Sequence, residues 1–144
     1  MTRQVTITFD ATDPARLAEF WAVAMGYELQ PPPPPFESWE AFADANDIPV
    51  ERRMDISAVV DPAGVGPRLL FLKVPESKTA KNRVHLDVHC GVAHDAPKAD
   101  QLAAIRSIVD ELVAAGATEH ESFDEMMTIW TVLTDPEGNE FCVV

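Results

Sequence analysis

Val59-Val60-Asp61-Pro62-Ala63-Gly64 and Leu133-Thr134-Asp135-Pro136-Glu137-Gly138 are two versions of one phrase: an apolar strand end running into an Asp-Pro-x-Gly turn. In such a turn the aspartate side chain bonds backbone N–H groups ahead of it, proline pre-sets its φ, and glycine takes a conformation that other residues resist. Each copy is followed by a second β-rich run, Leu69 to Val74 and Phe141 to Val144.

Working backwards from the two turns, the chain repeats a longer order. Val5-Thr6-Ile7-Thr8-Phe9 alternates as a strand, and Asp13-Pro14 then opens a helix, with aspartate as cap and proline at the first helical position. Leu17, Phe20, Trp21 and Ala24 recur at helical spacing, and Gly26 closes the helix. In the second half Arg83 to His89 alternates as a strand, and a helix from about Pro97 to Ala115 follows. Leu102, Ile105, Val109 and Leu112 lie on one face of it, and Gly116 closes it. The chain therefore reads as an α+β protein of two tandem βαβββ modules, one over about residues 1–75 and the other over about 82–144. A length of 144 residues fits a single domain built from both.

The halves differ in one place. The first is longer between its helix-closing glycine and its turn, and the excess (31–50) begins with five consecutive prolines, Pro31 to Pro35. Prolines cannot join a sheet interior, so this run is expected to be stiff and extended. The stretch after it, with Trp39 and Phe42, reads as a short amphipathic helix. It is either a plain surface insertion or a flap that brings those two aromatic rings over a cavity.

Composition removes several classes of function. A formal charge of −13 opposes binding to nucleic acid phosphates. No apolar run approaches the length a membrane span needs, and no leader-like segment precedes Val5, so a cytoplasmic protein is expected. Cys90 and Cys142 are the only cysteines, and they show neither zinc-knuckle spacing nor the density of a disulfide scaffold.

Three stretches resemble one known family. Phe9-Asp-Ala-Thr-Asp-Pro-Ala-Arg-Leu-Ala-Glu-Phe-Trp21, Lys78-Thr-Ala-Lys-Asn-Arg-Val-His-Leu-Asp87 and Thr134-Asp-Pro-Glu-Gly-Asn-Glu-Phe-Cys142 are similar to the glyoxalase-like branch of the vicinal oxygen chelate superfamily, which also holds bleomycin-resistance proteins and dioxygenases. The resemblance implies a curved, cup-shaped mixed sheet with helices outside, a small-molecule ligand in the cup, and a homodimer. It implies either an enzyme of lyase, isomerase or dioxygenase type, or a non-catalytic protein that sequesters a drug or metabolite. A third outcome is a site that has been lost, the fold persisting as an interaction module.

Metal-dependent members of that superfamily hold one divalent ion with four side chains, one from each of four strands. Carried onto this sequence, those positions fall on Thr6, on Phe71 or Leu72, on His85 and on Cys142. Only His85 matches well, so the reading assigns no metal site and leaves a divalent ion disfavoured. Strand alternation places Val5, Ile7 and Phe9 towards the first helix and Thr6, Thr8 and Asp10 on the other face. It likewise places Val84, Leu86 and Val88 inward, with His85, Asp87 and His89 opposite. His85 is the candidate acid/base, or else a polar residue kept from an ancestral ligand position. Thr6, Thr8, Trp39, Asp87, His89, Trp130 and Cys142 are the candidate ligand contacts. Cys142 is either a nucleophile or a buried small residue. Lys78, Lys81, Asn82 and Arg83, the densest basic cluster, either attract an anion or pair with nearby carboxylates. Trp21 is assigned to the core.

Overall fold

The computed structural model describes residues 3–125 and 128–144. Its contacts divide the chain after Ser77 into two compact units. The order of elements in each is strand, helix, then three strands, so the tandem βαβββ reading holds.

In the first unit β1 (Thr6–Ala11) leads to α1 (Pro14–Met25), then β2 (Glu28–Leu29), β3 (Ile56–Val60) and β4 (Arg68–Lys73). They form a four-stranded mixed sheet in the order β1-β4-β3-β2, with β1 and β4 parallel and the other pairs antiparallel. Asp13 caps α1 by accepting the Arg16 N–H at 3.2 Å, and Gly26 ends it at φ 63°, where a side chain would be strained. The apolar face of α1 packs on β3 and β4. Leu17, Ala18, Phe20 and Trp21 are all buried there, with Val59, Leu69 and Phe71 from the sheet. Phe9 lies 5.0 Å from Trp21 and 5.2 Å from Phe71, ring centroid to centroid. Trp21 is a core residue, as its helical spacing indicated.

The 31–50 insertion departs from expectation at its start. The prolines do not run on as a rod, because the chain turns at Pro33 to Phe36, where the Phe36 N–H bonds the Pro33 carbonyl at 3.1 Å. The peptide bond between Pro34 and Pro35 within this turn is cis. The expected helix is present as α2 (Trp39–Ala45), capped by the Ser38 hydroxyl, and a single 3-10 turn follows at Val50–Arg52.

In the second unit β5 (Asp87–Val88), α3 (Lys98–Ala114), β6 (Thr118–Glu125), β7 (Thr128–Thr134) and β8 (Glu140–Val143) follow in order. The sheet order is β5-β8-β7-β6, with the parallel pair again between the first and last strands of the module. Ile105, Val109 and Leu112 of α3 are buried against β6, β7 and β8. Three inward assignments fail across the two units. Val5 is 65% exposed, since β1 begins only at Thr6. Leu102 is 46% exposed, since burial of α3 begins one turn later, at Ile105. Val84 is 77% exposed because regular pairing of β5 is confined to Asp87–Val88, flanked by single bonds at Leu86 and Cys90. The expected seven-residue strand is thus a short one with a tethered approach.

Both Asp-Pro-x-Gly turns work as read. Asp61 accepts the N–H groups of Ala63, Val65 and Gly66 at 2.7–3.0 Å. Those bonds hold its carboxyl below the ordinary carboxylate range. Asp135, 3% exposed, accepts from the Glu137 and Asn139 N–H groups and the Asn139 side chain.

Candidate functional site

Residues paired in register share a face, so each sheet has one face against its helix and one turned away from it. In the first unit Thr8, Leu70 and Ala58 form a row across the strands on the face away from α1. Gln30 extends that row through its N–H bond to the Ala58 carbonyl, at 2.9 Å. Arg68 is the partner of Thr6 on the same face. The 31–50 insertion and this part of the sheet enclose a cavity of about 600 Å3, lined among others by Gln30, Trp39, Phe42, Met54, Ile56 and Arg68. That volume lies within the range of sites for small organic ligands.

The cavity wall is built by specific bonds. The Trp39 indole N–H donates to the Gln30 carbonyl at 2.9 Å, which fixes the helix α2 to the strand edge. Trp39 and Phe36 each make an edge-on contact with Phe42, at 5.4 and 5.3 Å between centroids. Arg53 donates to Asp44 and to the Ile48 carbonyl, and Arg52 pairs with Asp55. Arg68 is different. Its Nε donates to Gln30 Oε1 at 2.6 Å, and its terminal nitrogens have no partner among the described residues. Thr6 and Thr8 share the open face but are not among the residues lining the cavity. Sequence reasoning found Trp39 and Phe42 and missed Gln30 and Arg68. Arg68 was visible as the polar residue one step out of phase with the buried Leu69 and Phe71 of β4.

The second unit gathers a different set. Asp87 and Cys142 are register partners across the parallel β5–β8 pair, and His85 lies two positions before Asp87 on the same face. His85 Nε2 stands 3.6 Å from Asp87 Oδ1, an ion-pair distance longer than a hydrogen bond. One ligand atom from each of His85, Asp87 and Cys142 lies within 4.8 Å of the other two. His85 and Asp87 are about half exposed, whereas Cys142 is 8% exposed. Burial pushes the Cys142 thiol up from its ordinary value, and the Asp87 charge adds to this against a smaller opposing effect of Lys81. A thiol kept protonated is a poor nucleophile, so the buried-residue reading of Cys142 is the better one. His89 is exposed and stands outside this cluster. Trp130 shares the face of Val132, the partner of Cys142, and stacks on Phe123 at 5.0 Å with 17° between planes.

The family-type metal positions can now be tested. Phe71 is fully buried on the helix side, so the fourth-strand position is Leu72, which offers no ligand, and Thr6 is a weak one. The imidazole, carboxylate and thiol of the second unit do suit a borderline ion such as zinc in type and number. Two ligand atoms on a tetrahedral zinc stand about 3.3–3.8 Å apart, which the His85–Asp87 separation already meets. The set suits magnesium and manganese poorly, because they favour oxygen donors over a thiol.

Glu140, two residues before Cys142, has another role. Its carboxylate takes the Lys78 ammonium and the Asn82 N–H, both at 3.0 Å, while the Asn82 side chain donates to the Glu140 carbonyl. Burial alone would raise its pKa, but these partners prevail and hold it at about 2. Part of the basic cluster is therefore a clasp on β8, matching the carboxylate-pairing reading.

A family model described as "Glyoxalase-like domain" matches residues 6–144. No curated protein matches the sequence. Among solved structures, a glyoxalase/bleomycin resistance protein/dioxygenase family enzyme from Burkholderia phytofirmans is 15% identical, with a TM-score of 0.62 over 96% of this chain and 94% of its own. A fosfomycin resistance protein from Mesorhizobium loti is 8% identical, with a TM-score of 0.62 over 99% and 90%. A bleomycin-binding protein from Streptomyces verticillus, in complex with copper(II)-bleomycin, is 12% identical, with a TM-score of 0.54 over 100% and 96%. At such identities the likeness is one of fold.

Proposed function

The chain belongs to the glyoxalase-like domain family, and from that premise we propose that it binds a small organic molecule, the cavity under the 31–50 insertion being the binding site. The observation that carries this reading is the cavity itself: about 600 Å3, with an apolar wall of Trp39, Phe42, Met54 and Ile56, and with Gln30, Arg68 and several charged side chains of the insertion on its polar side. Apolar walls with placed polar groups are the usual build of a ligand site. Sequestration of a drug or metabolite needs no more than this, and one neighbour in fold is named as a bleomycin-binding protein. A thermal-shift screen across metabolites and antibiotics tests it, since a ligand of the folded state adds RT ln(1 + [L]/Kd) of stability. A concentration-dependent rise supports the reading, and a flat response across the panel counts against it.

The cluster of His85, Asp87 and Cys142 favours a second, catalytic reading of lyase, isomerase or dioxygenase type. In it His85 moves the proton, the Asp87 carboxylate 3.6 Å away stabilises the protonated imidazole, and Cys142 closes the apolar side. In a metal-dependent form of this reading those three side chains would instead hold a zinc-class ion, with His85 neutral and Cys142 deprotonated, and the ion would supply Lewis-acid polarisation of a ligand oxygen. Metal analysis of protein purified without chelator separates the metal-dependent form of this reading from the rest. Near-stoichiometric zinc that falls in His85→Ala supports it, and zinc unaffected by that substitution contradicts it. A homodimer, proposed by analogy with relatives, is checked by sedimentation.

A further inference from the structure

Within the proposed cavity, the charges point to one chemical class of ligand. Arg52 and Arg53 also line the cavity, but each already faces a carboxylate of its own, Asp55 and Asp44 respectively. Arg68 is half-buried and anchored at Nε by Gln30, which leaves the two terminal nitrogens of a fixed, planar fork available. No carboxylate of the described residues pairs with it, in a chain with 24 acidic residues. A half-buried guanidinium left unpaired amid so many acids matches a carboxylate supplied from outside, which the fork can take with two parallel hydrogen bonds. Beyond it, Trp39, Phe42, Met54 and Ile56 present an apolar wall suited to a ring or short hydrocarbon. Glu40 and Asp47 also line the cavity, and with a net charge of −13 they disfavour ligands of higher negative charge.

We infer that the cavity under the insertion takes an aromatic or otherwise apolar monocarboxylate, its carboxylate on Arg68 and its body against Trp39 and Phe42. This rests on the small-molecule reading of the same cavity and adds the ligand class. The arginine sets orientation, and the aromatic wall supplies the apolar contact.

Calorimetric titration with 2-naphthoate and its neutral isostere 2-naphthamide tests the inference. The acid should bind at least tenfold more tightly than the amide, consistent with a charge-assisted pair of hydrogen bonds. Arg68→Met, which keeps the apolar stem, should remove that preference, so that acid and amide bind alike. If Arg68→Met does not fold, the acid–amide comparison on the wild-type protein decides alone. Equal binding of acid and amide overturns the carboxylate assignment while the small-molecule reading stands. No binding of either probe overturns the assignment as well, and the thermal-shift screen then decides the broader reading.

Discussion

Asp135 shows how much one side chain contributes to this fold. It is buried at the second turn and satisfies two backbone N–H groups and the Asn139 amide. Asp135→Ala leaves those donors without partners and should cost about 2–3 kcal/mol, read from urea unfolding midpoints. At Cys142, burial and the neighbouring Asp87 keep the thiol protonated at neutral pH. In a Cys90→Ser background, Cys142 should resist iodoacetamide at pH 7 in the native protein and react promptly once the protein is unfolded. Rapid native labelling would show an activated thiol and revive the nucleophile reading. Both residues were legible as types in the sequence: the aspartate from its Pro and Gly neighbours, the cysteine from its place in an apolar terminal strand. The free fork of Arg68 was not legible, because it depends on which groups fold next to it, such as Gln30, 38 positions away.

At the scale of elements, the clasp between β8 and the segment before β5 should govern part of the acid stability. The Glu140 carboxyl titrates at about 2 in the folded chain against an ordinary 4.5. Its contribution is therefore complete above about pH 4.5 and is lost as the pH falls towards 2. Glu140→Gln should lower the urea midpoint at pH 7, and the gap to wild type should narrow markedly as the pH falls from 4.5 towards 2. A gap that persists unchanged at low pH would contradict the assignment. Trp21→Ala should cost about 3–5 kcal/mol, because it empties the centre of the α1 face. Helices, caps and turns were readable because they follow local rules of spacing and capping. The length of β5 was not, since Val84 has strand chemistry yet stands exposed ahead of the pairing at Asp87. The bend within Pro31–Pro35 was likewise hidden, as proline fixes φ but leaves the isomer of each bond open.

For the whole molecule, the tandem repeat accounts for the fold of both units, and the difference between the halves accounts for the proposed function. Helix α2 and the 3-10 turn that follows it exist only in the first unit, and the cavity exists because they roof its sheet. No helix among the described residues is long and apolar enough to cross a membrane. The charge of −13 favours solubility, and of the three arginines lining the cavity Arg68 is the one with no carboxylate partner among the described residues. The three tryptophans offer a direct readout, since Trp21 is in the α1 core, Trp39 lines the cavity and Trp130 lies on the open face of the second sheet. The indole N–H resonances of 15N-labelled protein, assigned with single Trp→Phe variants, can be followed as a stabilising compound is titrated. The account predicts that the Trp39 resonance, whose N–H bonds the Gln30 carbonyl, moves to saturation while that of Trp21 stays in place. A saturating shift at Trp130 with Trp39 unmoved would contradict it.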